Sequence, residues 1–155
     1  MSRRDLFTGK AGEHAVISQF LVRHWQVAVP EVDVGDDLLI ASDLSEVLRV
    51  QVKTSRAMEQ KRCYVGRFNV PITQTTTPDT PELTYIFAVY RDQRWSDFIV
   101  VPRRHLHDEY STYQGAAIGR KQWTLRIRFQ GTSVICGGRD WTRFRDAWPA
   151  TNRPP

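Results

Sequence analysis

Val47-Leu-Arg-Val-Gln-Val-Lys-Thr-Ser55 is the stretch whose reading decides the fold. Leu48, Val50 and Val52 alternate with Arg49, Gln51 and Lys53, the two-residue period of a β-strand. Successive side chains on a strand point to opposite faces, so Gln51 and Lys53 share a face, roughly 6–7 Å apart. Upstream, Val34-Gly-Asp-Asp-Leu-Leu-Ile-Ala41 runs from a turn into a second apolar strand with Asp37 at its mouth. A glycine-containing turn between two such runs predicts that they pair as neighbours. Asp37, Gln51 and Lys53 then converge. An acid, an amide oxygen and an ammonium in one patch suit a hard cation with a positioned water.

A further acid comes from the first helix. Between Ala11 and His24, the apolar residues Val16, Ile17, Phe20 and Leu21 form one stripe at helical spacing. At about 100° per residue, Glu13 falls near the middle of that stripe. A carboxylate there points at the sheet and needs a cation or a strong donor set, because uncompensated burial costs several kcal/mol. The simpler alternative is a helix N-terminal charge that suits the macrodipole.

Glu13 on the first helix, Gly35-Asp36-Asp37 leading into a strand and Gln51-Val52-Lys53 on the next resemble the PD-(D/E)XK nuclease superfamily. The flavour is the small stand-alone type that includes archaeal Holliday junction resolvases and their bacterial relatives. The motifs cover roughly residues 9–55. The resemblance implies a restriction-endonuclease-like α/β core, a mixed central β-sheet flanked by helices. It also implies that Glu13 and Asp37 bind Mg²⁺ (or Mn²⁺), that Gln51 and the Val52 carbonyl complete the shell, and that Lys53 assists the attacking water. Gln51 departs from the commoner acid, and a neutral amide is a weaker ligand for a hard cation. The expected function is metal-dependent hydrolysis of phosphodiester bonds in DNA, endonuclease or junction-resolvase-like. A catalytically silent nucleic-acid-binding module with the same fold is the alternative, and RNA is the weaker substrate.

The rest of the chain reads as alternating strands and turns. Trp25–Pro30 is an expected first strand, and Asp37–Ser42 and Val47–Ser55 complete a three-stranded meander. Asp33 and Asp36 are competing carboxylates, ranked below Asp37 because a turn exposes them. Arg56–Arg62 reads as a basic loop, Cys63–Val70 as a strand and the Thr- and Pro-rich Thr73–Pro81 as a loop. Leu83–Tyr90 and Trp95–Val101 form a hairpin, followed by a helix from Arg103. His105 and His107, two apart on that helix, diverge too far to chelate one ion. Gly115–Arg120 reads as a loop. Gln122–Gln130 alternates an apolar face with Thr124, Arg126 and Arg128, and Ser133–Cys136 follows as a strand. Asp140 is placed to cap a final helix with Trp141, Phe144, Ala147 and Trp148 inward and Arg139, Arg143 and Arg145 outward. A single domain over residues 1–148 is expected, with residues 149–155 as a frayed tail.

Composition bounds the function. The 155 residues are 41% hydrophobic and 25% charged, ordinary for a soluble globular protein. No apolar run reaches the ~20 residues of a membrane span, and no signal peptide is visible. Cys63 and Cys136 have no metal or redox spacing, so free thiols in a cytoplasmic chain are the default. The net charge of +5 is uneven: residues 1–60 carry seven Lys or Arg against nine acids, and residues 61–155 carry fifteen against eight. An acidic patch in one part and a basic surface in the other suit a metal site beside a phosphate-binding face. Thr54, Ser55, Arg126, Arg128, Arg139 and Arg143 are the expected nucleic-acid contacts, and a homodimer is left open. No P-loop, dinucleotide fingerprint or zinc signature is present.

Overall fold

The computed structural model describes residues 3–31, 35–42, 46–75, 82–112 and 121–150. In chain order they form α1 (Arg3–Leu21), β1 (Gln26–Ala28), β2 (Leu38–Ala41), β3 (Val47–Arg56), β4 (Met58–Gln60), β5 (Cys63–Pro71) and α2 (Ile72–Thr75). There follow β6 (Leu83–Arg91), β7 (Arg94–Pro102), α3 (Arg103–Thr112), β8 (Gln122–Gln130), β9 (Ser133–Cys136), β10 (Arg139–Asp140) and a 3₁₀ turn at Thr142–Phe144.

Two five-stranded sheets result, in orders β1-β2-β3-β6-β7 and β10-β9-β8-β5-β4. The first is the expected mixed sheet. Its meander β1-β2-β3 is antiparallel, and β3 then runs parallel to β6, with Gln51 opposite Tyr85 and Lys53 opposite Phe87. The second sheet is antiparallel throughout. Val16 and Phe20 of α1 pack on Leu38, Val50, Val52, Ile86 and Ala88 on one face of the first sheet. Tyr85, Phe87, Val89 and Ile99 on its other face meet Phe68, Leu125, Ile127 and Phe129 of the second sheet. Strand β6 is therefore covered on both faces, which is why it reads as an unbroken apolar run.

Several expectations are corrected by tertiary pairing. The apolar stripe predicts a first helix over Gly12–His24, but α1 runs from Arg3 to Leu21; its first turns were not legible because they carry no inward stripe, Leu6 and Phe7 being exposed. The buried line is Gly12, Val16 and Phe20, so Glu13 flanks it and Leu21 faces outward. The Arg56–Arg62 stretch is not a plain loop, since Met58–Gln60 pairs with Cys63–Val65 as a hairpin. Thr73–Thr75 belong to α2; the remainder of the expected 73–81 loop, Asp33 and the 115–120 loop lie outside the described residues. The expected C-terminal helix is replaced by β10 and one 3₁₀ turn. Gly137 and Gly138, at φ of 56° and 83°, fold the chain back so that Arg139 and Asp140 pair with Cys136 and Ile135. Trp141 and Phe144 then enter one core and Trp148 packs against the other, which no single helix face could do. Asp140 is not the N-cap, which is Trp141, but its Oδ1 accepts the Thr142 N–H at 2.8 Å and steadies the turn.

His105 on α3 sits against Trp141 and Phe144, with ring centroids 5.7 and 4.6 Å away. Burial holds its imidazole below the ordinary value of 6.5, against the pull of Glu109. A folded-state pKa below the unfolded one means that stability is complete above about pH 6.5 and declines as the pH falls toward the depressed value. Urea denaturation at pH 7.5 and pH 5 is expected to show that loss. His105→Gln should shrink it, and an unchanged difference would remove His105 as the cause.

Candidate functional site

The site is assembled where β2 stops covering β3. Gly35, at φ of 103°, takes the turn that a side chain would strain. It sends the next two carboxylates in different directions. Asp36 is buried and accepts from Arg49 Nε at 2.8 Å and Nη2 at 2.9 Å, a bidentate clamp that commits it to the turn. Asp37 donates its backbone N–H to the Val50 carbonyl at 2.9 Å. Its Oδ2 accepts the Val52 N–H at 2.7 Å and the Gln51 side-chain NH₂ at 2.5 Å. The β2 ladder ends at the Leu38–Val50 pair, so beyond Val50 the edge of β3 away from β6 is met by the Asp37 side chain and not by a strand. A strand residue directs its N–H and its C=O to the same edge. The Val52 carbonyl is therefore on the Asp37 side too.

Helix α1 carries Glu13, the other expected acid. A Cβ on Gly12 would collide with the Thr54 side chain, so glycine is what lets the helix lie directly on β3. That close approach fixes Glu13, whose side chain is 21% exposed and bonded to Lys10 Nζ at 2.6 Å. The hydrogen bond and charge of Glu13 raise the Lys10 ammonium above its ordinary value, and the charge of Asp37 adds to this. Lys10 therefore lies in the field of both carboxylates. Lys53, on the opposite face of β3 from Val52, lines a groove of about 660 Å³ with Thr8, Ser55, Arg67, Asn69 and Gln122. Ser55 Oγ accepts the Arg67 N–H at 2.9 Å, tying β3 to the second sheet at the groove.

Behind Gln51 lies a polar cluster that sequence reasoning missed. The hydroxyl of Tyr85 donates to Gln74 Oε1, and Arg103, buried at the start of α3, donates to the Gln74 carbonyl. Burial raises the Tyr85 hydroxyl; Arg103 opposes this, and Asp37 and Asp36 reinforce it. The only signal in the sequence was the polar Gln74 in a Thr-rich stretch, too little to place it.

The expected nucleic-acid contacts divide. Arg126 and Arg128 are exposed on the outer face of the second sheet. Arg139 bonds the buried Glu109 at 3.1 Å and Thr112 at 3.2 Å, and Arg145 binds the buried Asp97 at 2.5 Å. Arg143 is exposed and lies over the Phe144 ring. Arg67 lines the groove of Lys53 without having been singled out, and Lys10, expected only as an alternative nucleic-acid contact beside the first helix, pairs with Glu13. Arg67 was legible as the outward residue between Gly66 and Phe68.

No family model matches the chain, and no curated protein matches it significantly. Among solved structures, it is similar to the bacterial homing endonuclease I-Ssp6803I, with a TM-score of 0.57 and 23% identity over 95% of this chain and 88% of that one. At that identity the likeness shows the fold: a nuclease-like α/β core with a mixed sheet, a second sheet and flanking helices. Among the described residues, no helix is long and apolar enough to cross a membrane.

Proposed function

We propose that the protein is a metal-dependent endonuclease of the PD-(D/E)XK type, hydrolysing phosphodiester bonds in DNA. The observation that carries this reading is the Asp37 carboxylate at the open edge of β3, bonded to Val52 N–H and Gln51, whose charge also reaches the Lys10 ammonium that pairs with Glu13. The donor set fits Mg²⁺ or Mn²⁺. Among the described residues no group of three or more His, Cys, Asp and Glu side chains gathers, but Mg²⁺ is commonly held by one or two carboxylates and its own waters. The Lys10 ammonium, which bonds Glu13 and feels the charge of Asp37, acts as a cationic stand-in there. Glu13, Asp37, Gln51 and the Val52 carbonyl would hold the metal, which when bound lowers the pKa of a water and offsets charge on the scissile phosphate.

The chain's own groups do the rest. Asp36 and Arg49 keep the turn rigid, so that Asp37 holds its direction. Lys53 faces the groove, where its ammonium orients the attacking water and neutralises charge that develops on the phosphate oxygens. Thr54 is covered by Gly12 and sets the helix on the strand. Ser55 and Arg67 line the groove along which the cleaved strand would pass. The description of the structural neighbour as an endonuclease supports DNA over RNA as substrate, and a homodimer fits a cut in both strands.

A second reading rests on one contact. The Gln51 amide donates to Asp37, a clip that is complete without metal, as a silent DNA-binding module would have it. Gln51→Glu separates the two. It adds a hard anionic ligand beside Asp37 and is expected to lower the Mg²⁺ concentration for half-maximal plasmid cleavage by about tenfold. Absence of cleavage by both proteins at any Mg²⁺ or Mn²⁺ concentration, with DNA still retarded in gels, would establish the silent module.

A further inference from the structure

The outer face of the second sheet carries an arrangement that the core does not use and that meets the candidate site only at one end, through Arg67, Asn69 and Gln122. On β5 and β8 the outward residues include Arg67, Asn69, Gln122, Thr124, Arg126 and Arg128. Arg67 lies directly across from Arg126, and like charges at opposed positions of a sheet are destabilising. Among the described residues, none of the side chains of Arg67, Arg126 and Arg128 makes an ion pair or a hydrogen bond. An anionic partner relieves that repulsion.

The face is also continuous with the candidate site. Arg67, Asn69 and Gln122 line the same groove as Lys53, while Arg126 and Arg128 line a second groove of about 490 Å³ with Gln60 and Lys61. The opposed arginines lie between the two. The β5–β8 ladder is continuous from Tyr64–Phe129 to Pro71–Gln122, roughly 25 Å at the rise of a strand. Among the described residues β4 pairs only with Cys63–Val65 and β9 only with Ile127–Gln130, so from Arg67–Arg126 to Pro71–Gln122 the ladder runs on as two strands, and a two-stranded ribbon of that kind fits the major groove of duplex DNA. The chemistry on it differs from that of a phosphate track. Its cations on β5 and β8 are all arginines, whose planar fork matches guanine O6 and N7, and they alternate with amide and hydroxyl side chains that read base edges. Thr124 Oγ1 donates to Asn69 Oδ1 at 2.8 Å, which holds the Asn69 amide in one orientation.

We infer that the β5–β8 face docks in the major groove of duplex DNA and reads its sequence, so that the adjoining Lys53 groove receives a phosphate at a defined distance from a recognition site. The inference rests on the endonuclease reading above.

Binding is measured with the full chain in Ca²⁺, by selection from a random duplex pool and then by titration of the enriched and random duplexes at several salt concentrations. The wild type should enrich a defined motif. Arg126→Lys keeps the charge and loses the fork. It should reduce discrimination between enriched and random duplex by about tenfold to a hundredfold, while the salt slope on random duplex stays unchanged. A pool that emerges unenriched, a variant that discriminates like the wild type, or stronger retention of single strands or RNA than of duplex overturns the inference while leaving cleavage chemistry intact. A wild type that binds no nucleic acid at all overturns the endonuclease reading with it. Circular dichroism of the variant guards against unfolding, which an exposed Arg→Lys change should not cause.

Discussion

Asp37→Asn is expected to reduce DNA cleavage by about a thousandfold or more and to weaken Mn²⁺ binding, with little change in stability. The structure explains why Asn and not Ala is the informative replacement. One carboxylate oxygen of Asp37 accepts both the Val52 N–H and the Gln51 amide, and Gln51 is 5% exposed. An amide oxygen has two lone pairs and can keep both bonds, so the fold survives while the charge is lost. Asp37→Ala would leave two donors without their acceptor and cost about 1–3 kcal/mol, more than any relief of repulsion with Glu13 returns. On the proposed metal-dependent reading the activity loss is large because an anionic ligand would serve a step that draws several kcal/mol of transition-state stabilisation from the metal. Mn²⁺ titration and a thermal melt, beside a plasmid assay, check all three expectations. Retained cleavage in Asp37→Asn would dismiss the metal site. Equal loss of fold and activity would make Asp37 a structural residue.

The parts of the molecule that were legible in the sequence are those where local pattern and tertiary demand agree. Strand β8 has the expected ends because its alternation of Leu125, Ile127 and Phe129 with Arg126 and Arg128 corresponds to a buried face and an open one. The meander and the convergence of Asp37 with Gln51 follow from a short turn between two apolar runs. The C-terminal segment was misread for a physical reason. Trp141, Phe144 and Trp148 have helical spacing, but two glycines at positive φ reverse the chain, and the aromatic residues are divided between two cores. The second sheet escaped notice because its central pairing is non-local: Tyr64–Pro71 meets Gln122–Phe129, and nothing near either strand announces the other.

At the site, the same distinction sorts the arginines. Those read as one basic cluster have separate roles because burial, invisible in composition, sets them apart. Arg139 and Arg145 answer the buried acids Glu109 and Asp97. A buried acid is costly without its partner, so these two are held by the fold and are poor candidates for phosphate contact. Among the described residues Arg126, Arg128 and Arg143 form no ion pair and remain as expected contacts, and Arg67 joins them.

Lys53→Met is expected to separate chemistry from metal binding. Lys53 shares the face of Gln51 on β3 but lies in the groove, outside the set Glu13, Asp37, Gln51 and Val52. Methionine keeps most of the apolar stem and removes the ammonium. Cleavage should fall by about a hundredfold to a thousandfold, the cost of removing one preorganised group aimed at developing charge, while Mn²⁺ affinity and DNA retention in Ca²⁺ stay near the wild-type values. Lys53→Arg should recover part of the rate, because charge returns without the geometry of a single ammonium. Asp37→Asn, by contrast, should lose metal and rate together. The pair of variants thus assigns different tasks to a residue at the mouth of β2 and one on β3. Weakened Mn²⁺ binding in Lys53→Met would mean that the lysine organises the ligands and does not act on the phosphate. Undiminished cleavage would leave Lys53 as a groove residue, and the ammonium that neutralises the phosphate would then have to be Lys10, the other lysine beside these carboxylates.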